Sequence, residues 1–272
     1  MANLPSVSTL LLSLEGSTLR VTINRPETRN AMTDEVVADL HAVCGFAEHE
    51  AGLRTLVLRG ADGTFCAGGD IKGFRRSFET PLPEKGPDPI AEFNRSFGNF
   101  LVRFNALPQT VVGVIEGAAF GGGLGLVCVT DIAIARTDTR FALSETGLGI
   151  PPAQIAPFVV QRVGLTTARR IALSGARFKG DAALEMGLVH YACADEASLE
   201  ATLDRVLGDI DRCAPGANAA TKRILLDVGT RHVSQVLDDA SLAFARALRG
   251  PEGQEGVSAF LEKRSAKWVE RT

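Results

Sequence analysis

Residues 111–135 read VVGVIEGAAFGGGLGLVCVTDIAIA, and this stretch decides the architecture that the sequence predicts. An apolar, β-prone run leads into five glycines within nine positions: Gly117, Gly121, Gly122, Gly123 and Gly125. Because apolar residues follow, we expect a strand, a glycine turn and then a helix. The first N–H groups of such a helix lack partners within it, and the positive end of the helix dipole lies behind them. The corner is therefore a candidate site for a phosphate, or for an oxyanion that develops during a reaction.

A glycine cluster between a strand and a helix can also serve close packing alone, and the residues by themselves leave both interpretations open. The cluster is not a dinucleotide-binding fingerprint, because the sixth position of the G-x-G-x-x-G pattern that starts at Gly121 is Leu126. It is not a P-loop either, since no G-K-S/T follows. The sequence thus indicates a backbone site for negative charge without a nucleotide-binding motif.

Composition and charge limit the classes of function. The chain has 272 residues, a net charge of -3 and a pI near 5.9. This balance gives no general attraction to nucleic acid or to an anionic membrane. The five cysteines are odd in number and widely spaced, which favours neither a zinc site nor a disulfide framework. We therefore expect reduced thiols in a cytoplasmic protein, with no metal, no nucleic-acid partner and no membrane span.

A second glycine corner, FCAGGDIK at 65–72, follows the strand that is predicted at 53–59. Two such corners, each after a strand in an alternating α/β chain, can meet at one rim of a sheet. Their meeting would aim two backbone N–H donors at a single atom.

Residues 73–100 differ in character from their surroundings. The segment PLPEKGPDP at 81–89 is rich in proline and charge and is predicted to be a mobile surface loop. Four phenylalanines then recur at the spacing of one helix face: Phe93, Phe97, Phe100 and Phe104. Such a stripe is more often part of an ordinary core. The alternative is an apolar wall for an acyl chain, closed by the loop.

A single carboxylate, Glu145, lies amid small and apolar neighbours in FALSETGLGIPP at 141–152. Such surroundings raise the pKa of a carboxyl group and suit proton transfer near neutral pH. Surface acids are common, so Glu145 taken alone is a weak candidate.

On the helix that is predicted to begin at Thr33, His41 and His49 are expected to be surface or satisfied residues without a chemical role.

Taken together, the two glycine corners, their spacing and Glu145 resemble the crotonase superfamily, also called the enoyl-CoA hydratase and isomerase family. The likeness runs through NRPETRNAM, FCAGGDIK, EGAAFGGGLGLVCVTDIAIA, FALSETGLGIPP, ALSGARFKGDAALEMGLV and EGVSAFLEKR. It implies an α/β fold with a ββα spiral core, placed at 1–200, and a C-terminal all-helical trimerisation segment, placed at 201–272. Beyond residue 194 the pattern predicts helices alone, the last one extending to 267. The implied assembly is a homotrimer or a dimer of trimers.

The resemblance also implies the site residues. The carbonyl of an acyl-CoA thioester would lie between the N–H groups of Gly69 and Gly122, with Glu145 as acid and base. Coenzyme A is then part of the substrate and no separate cofactor is expected. Its contacts would be Arg29, Ala67, Gly69, Asp70, Ile71, Lys72 and Gly122. Lys263 of a neighbouring subunit would reach its phosphates.

Two positions depart from the family pattern. The best-known hydratases carry two glutamates, of which the first is matched here by Gly125 and the second by Glu145. Dehalogenases, dienoyl isomerases and acyl-CoA hydrolases of the family use an aspartate where this chain has Ala153, which argues against those activities. Of these acidic positions only Glu145 remains to transfer protons. A hydratase and a Δ3-Δ2 enoyl-CoA isomerase both remain open, with a non-catalytic or RNA-associated scaffold as a third alternative.

The segment LGIPPAQIAPFVVQRVGLTTARR at 148–170 is similar to the isohexenylglutaconyl-CoA hydratases of acyclic terpene degradation. This closer resemblance would give the phenylalanine wall an isohexenyl tail to contact. It also implies a substrate with a free carboxylate, which needs a partner that donates hydrogen bonds. The candidate partners, each more often a surface residue, are Arg75, Arg76, Arg95 and Arg103.

Overall fold

Two β-sheets organise the chain in the computed structural model, which describes residues 3–269. In chain order their strands are β1 (Leu10–Glu15), β2 (Thr18–Ile23), β3 (Thr55–Gly60), β4 (Thr110–Ile115), β5 (Ala118–Phe120), β6 (Ile132–Arg136), β7 (Arg140–Ala142), β8 (Arg177–Lys179) and β9 (Tyr191–Cys193). The main sheet has the order β1-β2-β3-β4-β6-β9, and the second has the order β5-β7-β8. β1 and β8 run antiparallel to their neighbours, and the other pairs are parallel.

Helices cover the main sheet and continue to the C-terminal part of the chain. They are α1 (Asp34–His49), α2 (Ile71–Arg76), α3 (Pro89–Asn105), α4 (Gly122–Cys128), α5 (Ala156–Ser174), α6 (Gly180–Glu185), α7 (Glu196–Asp211), α8 (Pro215–Asp227), α9 (Val233–Arg249) and α10 (Pro251–Leu261). The predicted α/β class is confirmed. Within 3–269, no helix has the length and apolar character that crossing a bilayer requires.

The main sheet is buried on both faces. Along β4, Val111 and Ile115 belong to one apolar cluster and Val112 and Val114 to another, because successive side chains of a strand point to opposite faces. The first cluster joins the sheet to α1, α3, α4 and α5, and the second joins it to α7. Each fully buried aliphatic side chain stabilises the fold by roughly 1.5–3 kcal/mol. The strands that carry the glycine corners are thus fixed from both sides.

The predicted N-terminal strands and the helix after them are confirmed. β1 and β2 pair from Leu10 with Ile23 to Glu15 with Thr18. Thr33 is the N-cap of α1, where its side-chain oxygen accepts a hydrogen bond from the Val36 N–H at 3.4 Å. A helix also forms through all four phenylalanines of the predicted stripe, as part of α3.

Two local predictions are wrong. The glycine stretch is not one continuous turn, because Ala118–Phe120 forms β5 and pairs with β7. The last helix ends at Leu261 rather than at 267. Lys263 adopts a left-handed conformation with a φ of 55°, and the Arg264 N–H turns back to the Ala259 carbonyl.

The predicted division between 1–200 and 201–272 falls inside α7. The buried side chains of this helix, among them Leu199, Leu203 and Val206, pack on the main sheet. Positions 1–2 and 270–272 at the outer limits of the two ranges lie outside the described residues. The division into a core and a trimerisation segment stays a prediction.

Candidate active site

Both glycine corners and Glu145 border one cavity of about 400 Å³. Gly68 and Gly69 lie on one side of it, and Gly121 and Gly122 lie on another. Together with Glu145 these residues form what we call the corner wall. A second part of the lining is the helix wall, which we define as the cavity-facing residues of α1 and α3: Asp34, Val37, Ala38, His41, Phe93, Asn94, Ser96 and Phe97.

Backbone hydrogen bonds join the two corners to each other. The Cys66 N–H donates to the Ala118 carbonyl at 3.0 Å, and the Phe120 N–H donates to the Cys66 carbonyl at 3.1 Å. Gly68 has a φ of 103°, and a Cβ placed there would lie 3.1 Å from the Phe120 carbonyl oxygen. Glycine is needed at position 68 because of this conformation and this close approach. The short strand β5 therefore links the corners, although no sequence pattern indicated it.

The N–H groups on either side of Gly69 are used to hold its corner. The Asp70 N–H donates to the Met32 carbonyl at 3.2 Å, and the Met32 N–H donates to the Gly68 carbonyl at 2.8 Å. The Gly69 N–H itself donates to no acceptor within 3–269. It is a donor in a cavity wall that remains available to a ligand.

The second corner begins α4 at Gly122. Gly121, the N-cap, has φ 49° and ψ -118°, a combination that residues with a side chain rarely adopt. A Cβ on Gly123 would lie 2.5 Å from the Cys66 carbonyl oxygen, so that glycine lets the two corners approach. As the first residue of α4, Gly122 has an N–H without a partner inside the helix, and none is found for it elsewhere in the described chain.

Glu145 is half-buried at the start of a 3-10 helix, Glu145–Leu148. A Cβ placed on Gly121 would lie 2.7 Å from Glu145 Oε1, so the carboxylate rests against the second corner. The other oxygen, Oε2, is buried without a hydrogen-bond partner in the described part of the chain. Burial raises the pKa of the Glu145 carboxyl group, and the Glu145 and Ser144 N–H groups act in the opposite direction. Such a group is poised to accept and return a proton.

A protein-family model matches nearly the whole chain. The family model described as Enoyl-CoA hydratase/isomerase matches residues 14–271. The chain belongs to the enoyl-CoA hydratase/isomerase family. Members of this family act on acyl-CoA thioesters, so the chain is an enzyme of the crotonase superfamily with a substrate of that class.

Individual relatives confirm the fold. Enoyl-CoA hydratase ACTT6 of Alternaria alternata is 32% identical over 248 residues, which are 90% of this chain and 79% of that protein. Pseudomonas aeruginosa AtuE is 50% identical, with a TM-score of 0.92 over 96% of this chain and 100% of its own. An enoyl-CoA hydratase/isomerase from Marinobacter aquaeolei is 46% identical, with a TM-score of 0.92 over 96% of this chain and 99% of its own. The crotonase-like fold with C-terminal helices is thereby confirmed.

The space beside Gly125, the position matched to the first glutamate of the best-known hydratases of the family, is filled by an apolar side chain. A Cβ placed on Gly125 would lie 2.3 Å from Ile155 Cγ2 and 2.9 Å from Ile155 Cβ. Ile155 is 3% exposed and lines the cavity. The site thus has no room for a second carboxylate at position 125 unless Ile155 moves.

The residues predicted to contact coenzyme A divide into two groups. The cavity is lined by Ala67, Gly69, Ile71 and Gly122. Arg29, Asp70 and Lys72 are not part of this lining, although all three adjoin the first corner. The Arg29 carbonyl accepts from the Ala67 N–H at 3.0 Å, and the Asp70 side chain caps α2 through the Lys72 N–H at 3.0 Å. Their contacts with coenzyme A, like that of Lys263, stay predictions.

The four arginines that were candidates for a carboxylate partner lie outside the lining of this cavity in the described structure. Arg76 pairs with Asp70 at 3.3 Å, and Arg95 Nη1 lies 3.4 Å from Gln154 Oε1. Arg103 donates to both carboxylate oxygens of Glu48 at 2.7 Å.

Several polar side chains that the sequence analysis had set aside or passed over do line the cavity. His41 is one of them, although it was expected to lack a chemical role. Asn94 and Gln154 are two others, and their side-chain amides are hydrogen-bonded to each other at 2.9 Å. One signal could have pointed to His41: Asp34, Val37 and His41 recur at the spacing of one helix face.

Proposed function

We propose that the protein is an enoyl-CoA hydratase, which adds water across the α,β double bond of an acyl-CoA thioester. One observation carries the proposal: Glu145 presents a buried, unpartnered carboxylate oxygen in the same cavity as the free N–H groups of Gly69 and Gly122. This combination suits a reaction that needs both an oxyanion site and a single proton carrier.

The two backbone donors would act on the thioester oxygen. Attack of water at the β-carbon moves electrons through the double bond to that oxygen, which becomes an enolate. Hydrogen bonds from Gly69 and Gly122 strengthen as the charge grows, and each donor contributes about 3 kcal/mol to stabilising the transition state. Coenzyme A belongs to the substrate, so the proposed reaction uses no separate cofactor.

Glu145 would move the proton. As the water oxygen bonds to the β-carbon, the Glu145 carboxylate takes one of the water protons. It then returns a proton to the α-carbon as the enolate collapses to the saturated thioester. The raised pKa of Glu145 suits both steps, because the group is neither too weak a base nor too weak an acid.

We further propose that the substrate is a branched glutaconyl-CoA ester of the isohexenylglutaconyl type, from acyclic terpene catabolism. Phe93 and Phe97 line the cavity, while Phe100 and Phe104 are fully buried behind them. The phenylalanine stripe therefore serves the core and the cavity wall together. An apolar branch of an acyl chain fits such a surface.

Mass spectrometry of a panel of enoyl-CoA esters tests the reaction and the substrate together. The panel would include crotonyl-CoA, a longer straight-chain ester and a branched glutaconyl-CoA ester. We expect products heavier than the substrate by one water, formed fastest from the branched ester. Products of unchanged mass would contradict hydration.

A Δ3-Δ2 enoyl-CoA isomerase is the second candidate, and the packing of Ile155 against Gly125 favours it. An isomerase needs one base to carry a proton from C2 to C4, which Glu145 alone supplies. Isomerisation leaves the mass of the thioester unchanged, so the same panel separates the two reactions.

The third alternative, an RNA-associated scaffold, finds no support in the acidic composition or in the intact Glu145.

The oligomer is also a proposal. The last three helices expose large apolar side chains: Leu225, Val233, Leu237, Leu242, Phe244, Leu248, Val257, Phe260 and Leu261. Exposed apolar surface of this extent marks a protein interface. We propose assembly as a homotrimer or a dimer of trimers, which sedimentation equilibrium distinguishes from a monomer. The cytoplasmic location stays a prediction.

A further inference from the structure

The polar side chains of the helix wall have no part in the proposed reaction, and His41 is one of them. His41 lines the cavity beside Val37 and Ala38 of the same helix. Its ring meets Phe100 of α3 edge-on, with 5.6 Å between the ring centroids. Phe97 stacks on Phe100 at 6.1 Å and lines the same cavity. The imidazole thus lies beside aromatic and aliphatic side chains of α1 and α3.

Arg103 fixes the hydrogen-bonding state of this imidazole. Arg103 Nη1 lies 3.4 Å from His41 Nδ1 and donates to the His41 carbonyl oxygen at 3.0 Å. The guanidinium is itself held by its two hydrogen bonds to Glu48. Because a guanidinium can only donate, Nδ1 is the acceptor nitrogen of the ring. The ring proton is therefore on Nε2, and Arg103 is the one hydrogen-bond partner of the ring among residues 3–269.

A donor of this kind selects its ligand. An N–H group in a largely apolar wall is left unsatisfied when a plain hydrocarbon chain covers it, and this costs binding free energy. An acceptor oxygen on the ligand removes that cost, and a charged oxygen forms the stronger hydrogen bond. A site built around one polar group thus rejects the analogue that lacks the matching group.

We propose that the Nε2–H of His41 binds a carboxylate on the acyl part of the substrate, which makes His41 the residue that selects carboxylated enoyl-CoA esters. The proposal rests on the proposed hydratase function and assigns the residue that binds the carboxylate of the substrate proposed for that same cavity. It replaces the four arginines with a residue that the cavity itself contains.

The test compares two esters that differ in one group. 3-Methylglutaconyl-CoA carries a carboxylate, whereas 3-methylcrotonyl-CoA has a hydrogen in its place. In His41→Phe we expect kcat/KM to fall by about 30-fold for the first ester and by less than about threefold for the second. His41→Gln keeps an N–H donor and should retain most of the preference. His49→Phe, on the same helix outside the cavity, should leave both values unchanged.

Binding of unreactive esters keeps the test independent of turnover. The saturated pair is 3-methylglutaryl-CoA and isovaleryl-CoA, with the Kd of each measured by calorimetry on the wild type and on His41→Phe. We expect the wild type to prefer the carboxylated ester by about 30-fold and the variant to lose this preference. Equal affinities in the wild type, or a loss of equal size for both esters in the variant, would overturn the proposal. Preference without any turnover would instead contradict the hydratase function alone.

Discussion

The corner wall and the helix wall of the cavity are built in different ways. The corner wall is formed by backbone around Gly69 and Gly122, fixed by hydrogen bonds between main-chain groups. The helix wall is formed by side chains of α1 and α3, such as His41 and Phe97. A backbone wall offers the same donors to every thioester, whereas a side-chain wall can differ at each position. Under the proposed function, the comparison assigns reaction type and acyl selectivity to separate parts of this chain.

The largest effect is expected at the one side chain that the corner wall requires. Glu145→Gln keeps the shape of the carboxylate but removes its proton chemistry, so we expect kcat to fall by more than about 100-fold. Affinity for an unreactive CoA ester should be unchanged, since the backbone donors remain. Quenched turnover assays with mass detection measure kcat, and calorimetry measures the affinity for the unreactive ester. Residual turnover above a hundredth of the wild type would refute the role of Glu145.

Gly123→Ala tests whether the corner wall depends on the close approach of its backbone. The added Cβ would lie 2.5 Å from the Cys66 carbonyl oxygen, so the corners must separate. We expect about 1–3 kcal/mol of lost stability and a fall in kcat of at least about 10-fold. Denaturant unfolding and initial rates provide both numbers. Gly208→Ala is the matched control, because its nearest neighbour is Arg212 Nη1 at 3.9 Å. If Gly123→Ala and Gly208→Ala had the same stability and the same kcat, the close approach of the two corners would be unimportant.

Gly125→Glu tests whether a second carboxylate can be added to the corner wall. The substitution alone forces Ile155 out of its place and should cost about 1–3 kcal/mol of stability without a gain in hydration. Combining it with Ile155→Ala frees the space and should recover part of that stability. Thermal unfolding measures the stability of both variants, and initial hydration rates measure their activity. A stable single variant with raised hydratase activity would contradict the packing argument.

The smallest effect concerns the pH dependence of stability. Burial raises the pKa of Glu145 in the folded protein, so the folded state holds this proton more tightly than the unfolded state. The charged carboxylate therefore destabilises the fold above its raised pKa, and this cost disappears as the pH falls through it. We expect Glu145→Gln to be more stable than the wild type by about 1 kcal/mol at pH 8. This difference in stability should shrink at pH 5. If urea unfolding gave the same difference at both pH values, the raised pKa of Glu145 would be contradicted.

The glycine corners and the Thr33 cap could be predicted because their signals are local: each occupies a few consecutive positions with strong conformational preferences. Glu145 was a weak candidate by itself and was predicted through the family resemblance. The strand β5 could not be found in this way, because three residues carry no periodic pattern and their pairing with β7 is set by tertiary structure. The approach of Ile155 to Gly125 depends on two residues thirty positions apart in the sequence. The sequence placed His41 on a predicted helix but could not show that a cavity faces it.

The hydrogen bonds between Cys66 and the strand β5 have a consequence for how the enzyme can diversify. Through them the two corners that carry the amide donors are joined by main-chain groups and not by side chains of the helix wall. Substitutions on α1 and α3 can therefore enlarge, shrink or recharge the acyl chamber while the donors keep their distance. A lineage with this architecture can acquire new substrates without having to rebuild its catalytic geometry.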